Sequence, residues 1–111
     1  MANTFTRKLS RGIGTSAVSV GGYTVGANTT SIVVGMSVSN TSASAITVSV
    51  YINDAATNDT YIVTNAPVSA GSSLVIVGGD QKIVLIEGDT MYVQTSAASS
   101  ADAVMSIMEI T

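Results

Sequence analysis

The sequence predicts an all-β protein: a two-sheet β-sandwich of about seven or eight short antiparallel strands, with an N-terminal arm. Apolar and polar residues alternate with period two along most of the chain, and turns rich in Gly, Asn, Asp and Ser recur roughly every eight to twelve residues. Outside the last segment of the chain, no window keeps the apolar spacing that an amphipathic helix requires. Both an immunoglobulin-like and a jelly-roll topology agree with this pattern.

The clearest predicted strand covers residues 45–53. Its core-facing side holds four aliphatic residues, Ile46, Val48, Val50 and Ile52. A second strand covers residues 31–40, and its apolar residues are predicted to share one side: Ile32, Val34, Met36 and Val38. The polar residues 40–44 between the two strands predict that they form a β-hairpin.

Six further segments predict the remaining strands: residues 17–25, 61–64, 74–77, 82–86, 90–95 and 102–110. The sole proline, Pro67, cannot donate a hydrogen bond to a sheet, so it marks a strand end or an edge. Residues 78–81 (GGDQ) have the composition of a hairpin turn. The last segment would also suit an amphipathic helix, but no helix cap precedes it, which favours a strand.

Low charge points to an oligomer. Charged residues make up 10% of the 111 residues, against roughly 25% in ordinary soluble domains. A single small domain without cysteine lacks disulfide support, so we expect other copies to cover apolar faces such as Val75 with Val77, or Val84 with Ile86. No apolar run approaches the ~20 residues of a membrane span, and no signal peptide is evident, which predicts synthesis in the cytoplasm and no membrane partner.

Basic residues are concentrated at the N-terminus. The chain beyond residue 11 carries seven acidic residues but only one basic residue, Lys82. Residues 1–16 also lack strict alternation, which predicts an assembly arm there and a single sandwich domain in residues 17–111. The contact residues of the arm are predicted to be Phe5, Arg7, Lys8, Leu9, Arg11 and Ile13. A frayed terminus is the alternative.

Catalysis has little support in the sequence. The chain has no histidine and no cysteine, which excludes a Ser-His-Asp triad and a thiolate nucleophile. Two carboxylate pairs remain, Asp54 with Asp59 and Asp80 with Asp89, but both lie in predicted turns, where aspartate is favoured for backbone hydrogen bonding.

Metal and nucleic-acid binding are no better supported. Residues 53–59 gather oxygen ligands without the glycine and acidic positions of a helix-loop-helix calcium site. The acidic body argues against nucleic acid. We therefore expect a non-enzymatic protein without cofactor or metal.

Four stretches together resemble small virion structural proteins of tailed bacteriophages, especially phages of cyanobacteria and other aquatic bacteria: NTFTRKLSRGIGTS, VSNTSASAITVSVYIND, NAPVSAGSSLVIVGGDQKIVL and SAASSADAVMSIMEIT. The resemblance covers nearly the whole chain. It implies a location in the virion, as a capsid decoration or cement protein or as a neck or tail subunit. The implied partners are copies of the chain itself and other capsid, neck or tail proteins.

The expected function is therefore structural: a virion subunit that packs into the particle through its arm and sandwich faces. The alternative is a host-surface or glycan-binding β-sandwich module of a phage tail or fibre. One Phe and four Tyr supply few rings for stacking on sugars, which favours the structural role.

Overall fold

The computed structural model describes residues 2–78 and 81–111, which form two antiparallel sheets. Their nine strands are β1 (Asn3–Ile13), β2 (Val18–Thr24), β3 (Thr30–Asn40), β4 (Ile46–Asn53), β5 (Asp59–Val68), β6 (Ser73–Val77), β7 (Ile83–Leu85), β8 (Thr90–Thr95) and β9 (Ala101–Ile110). The predicted all-β sandwich is confirmed, and the last segment is strand β9. None of the described residues belongs to a helix that could cross a membrane.

The strand pairing is nested. The five-stranded sheet has the order β1-β9-β3-β6, with β7 also paired to β3, and the four-stranded sheet has the order β2-β8-β4-β5. The chain therefore forms one long hairpin, and the loop between β4 and β5 is its tip. From the tip outward, the strand pairs β4–β5, β3–β6, β2–β8 and β1–β9 belong alternately to the four-stranded and the five-stranded sheet. This arrangement is a jelly roll, so the immunoglobulin-like alternative is excluded.

The predicted hairpin at residues 40–44 is wrong, because β3 and β4 lie in different sheets. Asn40 holds the crossing between them. Its side-chain nitrogen donates to the carbonyl oxygens of Ser44 (2.8 Å) and Val68 (3.1 Å), and its side-chain oxygen accepts from the backbone nitrogen of Ser42 (2.9 Å). The short polar run therefore predicts that the chain turns at this point. It does not predict which strands pair on either side of the turn.

The second predicted hairpin, at residues 78–81, lies partly outside the described residues because it includes Gly79 and Asp80. The flanking strands nevertheless show that they do not pair with each other. Strand β6 pairs with residues 36–39 of β3, and β7 pairs with residues 31–33. Because β6 and β7 follow one another along the same edge of β3, the hairpin prediction is wrong.

The core lies between the sheets and confirms the predicted face of β4. Its aliphatic residues at 46, 48 and 50 are buried, and Ile52 packs against them at the end of the strand. In β3 the predicted face is only partly correct. The register with β9 shifts between Val33 and Gly35, so Val33 replaces Val34 in the core and Ile32 lies on the outer face.

Residues 3–13 differ most from the prediction of a separate arm. They form strand β1, which pairs with β9 from Asn3 opposite Ile110 to Ile13 opposite Ala101. Strand β2 packs closely against β1, because a Cβ added at Gly21 would lie 2.8 Å from the Cβ of Lys8. In this structure the segment is therefore an ordered edge strand of the sandwich.

The polar inward residues of β1 explain why the sequence did not predict this strand. Thr6, Lys8 and Ser10 are half-buried, and the last two contact residues of β2. The hydroxyl of Ser10 donates to the carbonyl oxygen of Ser19 at 3.3 Å. A strand whose inner side is polar does not show the alternation by which a half-buried strand is recognised.

Candidate assembly surface

The outer face of the five-stranded sheet carries two rows of apolar side chains across its strands. Residues directly opposite one another in the register form the first row, which consists of Phe5, Met108, Ile32 and Val84. The second row contains Leu9, Val104 and Val75, with Ser37 between the last two. Paired residues point to the same side of a sheet, so the two rows form one surface. We call it the apolar outer face.

This surface is open to solvent in the single chain. Phe5 is 73% exposed, Val75 67% and Val84 57%. Ile86, which follows Val84 at the next outward position, is 60% exposed. A soluble monomer seldom leaves such a continuous apolar area uncovered, so the face has the character of a contact surface. The sequence prediction of uncovered residues is confirmed for Val75, Val84 and Ile86, whereas Val77 is buried.

The six residues predicted for the arm do not lie on one surface. Phe5, Arg7, Leu9 and Arg11 are exposed. Arg7 lies opposite Ser106, between the two apolar rows. In the described part of the chain, neither arginine has an ion-pair partner. The outer face therefore combines an apolar centre with two arginines of β1 that form no ion pair within the described residues.

Lys8 points to the opposite side of β1. Its ammonium nitrogen lies 4.8 Å from the ring centroid of Tyr23 in β2, a cation–π contact. The hydroxyl of Tyr23 donates to the carboxylate of Glu109 at 2.7 Å and is hydrogen-bonded to Ser31. Burial, with a contribution from the nearby Glu109, raises the pKa of Tyr23 above its usual value. Lys8 thus connects β1 to β2, a role that its neighbours in the sequence do not reveal.

Ile13 is a core residue and is 1% exposed. The register between β1 and β9 shifts between Ser10 and Ile13, at Gly12, whose φ is 60°. The backbone nitrogen of Gly12 donates to the carboxylate of Asp102 at 3.0 Å. This bulge turns Ile13 inward, so its four-residue spacing from Leu9 does not place the two side chains on one face.

Negative charge is concentrated at one end of the sandwich. The loop between β4 and β5 carries Asp54 and precedes Asp59, and the turn before β8 carries Glu87 and Asp89. These two connections touch, because a Cβ added at Gly88 would lie 2.6 Å from the Cβ of Ala55. Arg7 and Arg11 belong to β1 and to neither of these connections.

The carboxylates proposed for catalysis or calcium are engaged in local structure. One oxygen of Asp54 accepts hydrogen bonds from the backbone nitrogens of Ala56 (2.9 Å) and Asn58 (3.0 Å), and Asp59 accepts from the side chain of Asn53 at 2.6 Å. Asp89 accepts from the backbone of Ile86. Asp80 lies outside the described residues. Residues 2–78 and 81–111 contain no cluster of three acidic side chains that could hold a metal ion.

Comparison with known proteins identifies solved structures that share this fold. No family model matches the sequence, and no curated protein shows a significant match. Among solved structures, the Bacillus endospore appendages, described as disulfide-linked pili, match 99% of this chain and 87% of theirs at 14% identity and a TM-score of 0.59. The acid-stable capsid of a Helicobacter pylori bacteriophage matches 100% of this chain and 89% of its own at 9% identity and a TM-score of 0.56.

A third match is the virus-like particle of extra small virus from the prawn Macrobrachium rosenbergii. It covers 97% of this chain and 77% of its own, at 12% identity and a TM-score of 0.50. At these identities the likeness shows a shared fold, the jelly-roll β-sandwich. Unlike the appendages, which are disulfide-linked pili, these 111 residues contain no cysteine, so they cannot form disulfides between copies.

Proposed function

We propose that this protein is a non-enzymatic structural subunit of a virus particle, and that it assembles by packing its apolar outer face against another copy of the chain. The observation that carries the proposal is the pair of apolar rows on the five-stranded sheet. Among the described residues, eight large hydrophobic side chains are exposed. Five of them belong to these rows, and Ile86 follows Val84 at the next outward position: the five are Phe5, Leu9, Val75, Val84 and Val104. The other two, Val18 and Tyr61, belong to the four-stranded sheet.

The size of the face suits a subunit contact. Four strand widths and about ten residues of strand length give a flat area of roughly 600 Å². A stable interface buries about 800 Å² on each partner. One face of the sheet together with the side chains at its margin therefore supplies most of the surface that a lasting contact requires.

The charge distribution suits contact with a further copy. Each copy offers Arg7 and Arg11 beside the apolar rows and a group of carboxylates at one end. Opposite charges across an interface favour association and fix its orientation. If the acidic end of one copy contacts the arginine-bearing face of the next, the interface joins two different surfaces. Repeating such an interface produces a ring or an extended array, as a particle requires.

A bacteriophage particle is the proposed setting. The sequence resembles small structural proteins of tailed phages, and one protein with the same fold comes from a phage capsid. A capsid decoration or cement protein and a neck or tail subunit all agree with a domain of this size. Other virion proteins are then its further partners, and the protein resides in the virion after synthesis in the host cytoplasm.

Self-association is tested by sedimentation velocity of the intact protein. We expect an oligomer at micromolar concentration in low salt, because an uncovered apolar face and unpaired arginines favour contact between copies. Raising the salt concentration should weaken the association only in part, since the apolar contribution is not screened. A protein that sediments as a monomer at every salt concentration would contradict the proposed packing.

A further inference from the structure

Three of the four tyrosines gather on the outer face of the four-stranded sheet. Tyr51 of β4 lies directly opposite Tyr61 of β5 and Tyr92 of β8 in the strand register. The ring centroids of Tyr51 and Tyr92 are 5.3 Å apart with nearly parallel planes, and those of Tyr51 and Tyr61 are 4.9 Å apart with a tilt of 43°. The sequence offered no sign of this cluster, because strand register decides which tyrosines meet.

A groove of about 230 Å³ lies beside this cluster. Tyr61, which is 51% exposed, forms its aromatic wall. The polar wall includes Thr47, Ser49, Thr64, Asn65 and Gln94. None of the described residues that line the groove is charged. Its lining therefore combines one ring with neutral hydroxyl and amide groups.

An irregularity in β5 shapes the groove. Asn65 has a φ of 49°, and the register between β4 and β5 shifts at this level. The backbone nitrogen of Asn65 donates to the hydroxyl of Ser49 at 2.9 Å. Within residues 2–78 and 81–111, the side-chain amide of Asn65 makes no hydrogen bond. A bulge commonly redirects a side chain at a binding site, and this one leaves an amide available at the groove.

We propose that this groove binds an uncharged glycan through a single hexose unit. The ring of Tyr61 offers an apolar surface for the C–H side of a sugar, and the amides of Asn65 and Gln94 offer hydrogen bonds to sugar hydroxyls. Gln94 is held in place because its side-chain nitrogen donates to the carbonyl oxygen of Thr15 at 2.7 Å, which leaves its oxygen to accept. The groove is smaller than the about 300–1,000 Å³ of pockets that enclose drug-sized ligands, so it suits one sugar of a longer chain.

Glycan binding at the groove is compatible with the proposed assembly and does not require it. The groove and the apolar outer face lie on opposite sides of the sandwich. A subunit docked through the five-stranded sheet therefore presents the groove away from the contact. Several copies on one assembly would bind a glycan surface with greater avidity than one copy.

The test uses an array of neutral oligosaccharides built from glucose, galactose and mannose, with sialylated and sulfated glycans on the same array. We expect the intact protein to bind at least one neutral glycan. Tyr61→Ala and Asn65→Gly should weaken that binding by about tenfold, which is the effect of losing one good contact. Glycine accepts the positive φ of position 65, so the second variant removes the amide and keeps the backbone conformation.

Asn28→Gly is the matched control. Asn28 also has a positive φ, 57°, but lies in the connection between β2 and β3, outside the groove. This variant should bind as the intact protein does, and all three variants should keep the same oligomeric state. Binding to charged glycans alone, binding that Tyr61→Ala and Asn65→Gly leave unchanged, or no binding on the array would overturn the proposal. None of these results would alter the sedimentation test of self-association.

Discussion

Val48→Asp is expected to prevent folding, whereas Ser49→Asp one residue further along β4 is expected to leave a folded protein. Val48 has no exposed surface and lies opposite Ala66 and Thr95 in the neighbouring strands. A carboxylate at this position would be buried without a partner. The cost is several kcal/mol, against a total stability of about 5–15 kcal/mol for a typical domain.

Ser49 is the control for this substitution because it faces outward in the same strand. Its hydroxyl accepts a hydrogen bond from the backbone of Asn65, and a carboxylate can accept the same bond. We expect its urea midpoint to shift only slightly, since outward substitutions usually change stability by about 0.5 kcal/mol. Urea unfolding followed by circular dichroism measures both variants. If the two lose equal stability, the proposed inner and outer faces of β4 are incorrect.

Val104→Asp has the largest expected effect on assembly. Val104 is 43% exposed and lies in β9 between Leu9 and Ser37, near the middle of the apolar outer face. In a single chain the new carboxylate remains in water, so folding should be retained. In the assembly it would be buried against apolar side chains, and a penalty of a few kcal/mol corresponds to association weaker by about a hundredfold.

Tyr61→Asp provides the comparison for Val104→Asp. Tyr61 is also an exposed large hydrophobic residue, is 51% exposed, and lies in β5 on the outer face of the four-stranded sheet, opposite Tyr51. This variant should assemble like the intact protein. Sedimentation velocity over a concentration series measures the dissociation constants of both variants. Equal weakening would show that the apolar outer face is not the specific contact.

Strands with one apolar side could be predicted from the sequence because their alternation is a local property. Strand β4, with its four aliphatic residues on one side, is an example. The pairing of strands could not be predicted, since in a jelly roll most partners are distant in the chain. Asn40 illustrates the difficulty: its polar surroundings indicate a turn, but only the structure shows that the turn crosses between sheets.

The candidate surface was predictable only in part. Low charge and the apolar runs of β6 and β7 indicated uncovered faces, and the basic residues of β1 indicated a contact segment. The direction of each side chain depended on register and bulges. Lys8 turned toward Tyr23, and Gly12 allowed Ile13 to enter the core. The tyrosine cluster needed three strands in register, which no local pattern encodes.

A cryo-electron microscopy map of the particle that contains this protein tests the central claim most directly. The proposal predicts that the apolar outer face of each copy is covered by a neighbouring copy, with Phe5, Val84 and Val104 inside the contact. It also predicts that Arg7 or Arg11 lies near carboxylates of the neighbour. A map in which the five-stranded sheet faces solvent, while the subunit is held through other surfaces, would contradict this account.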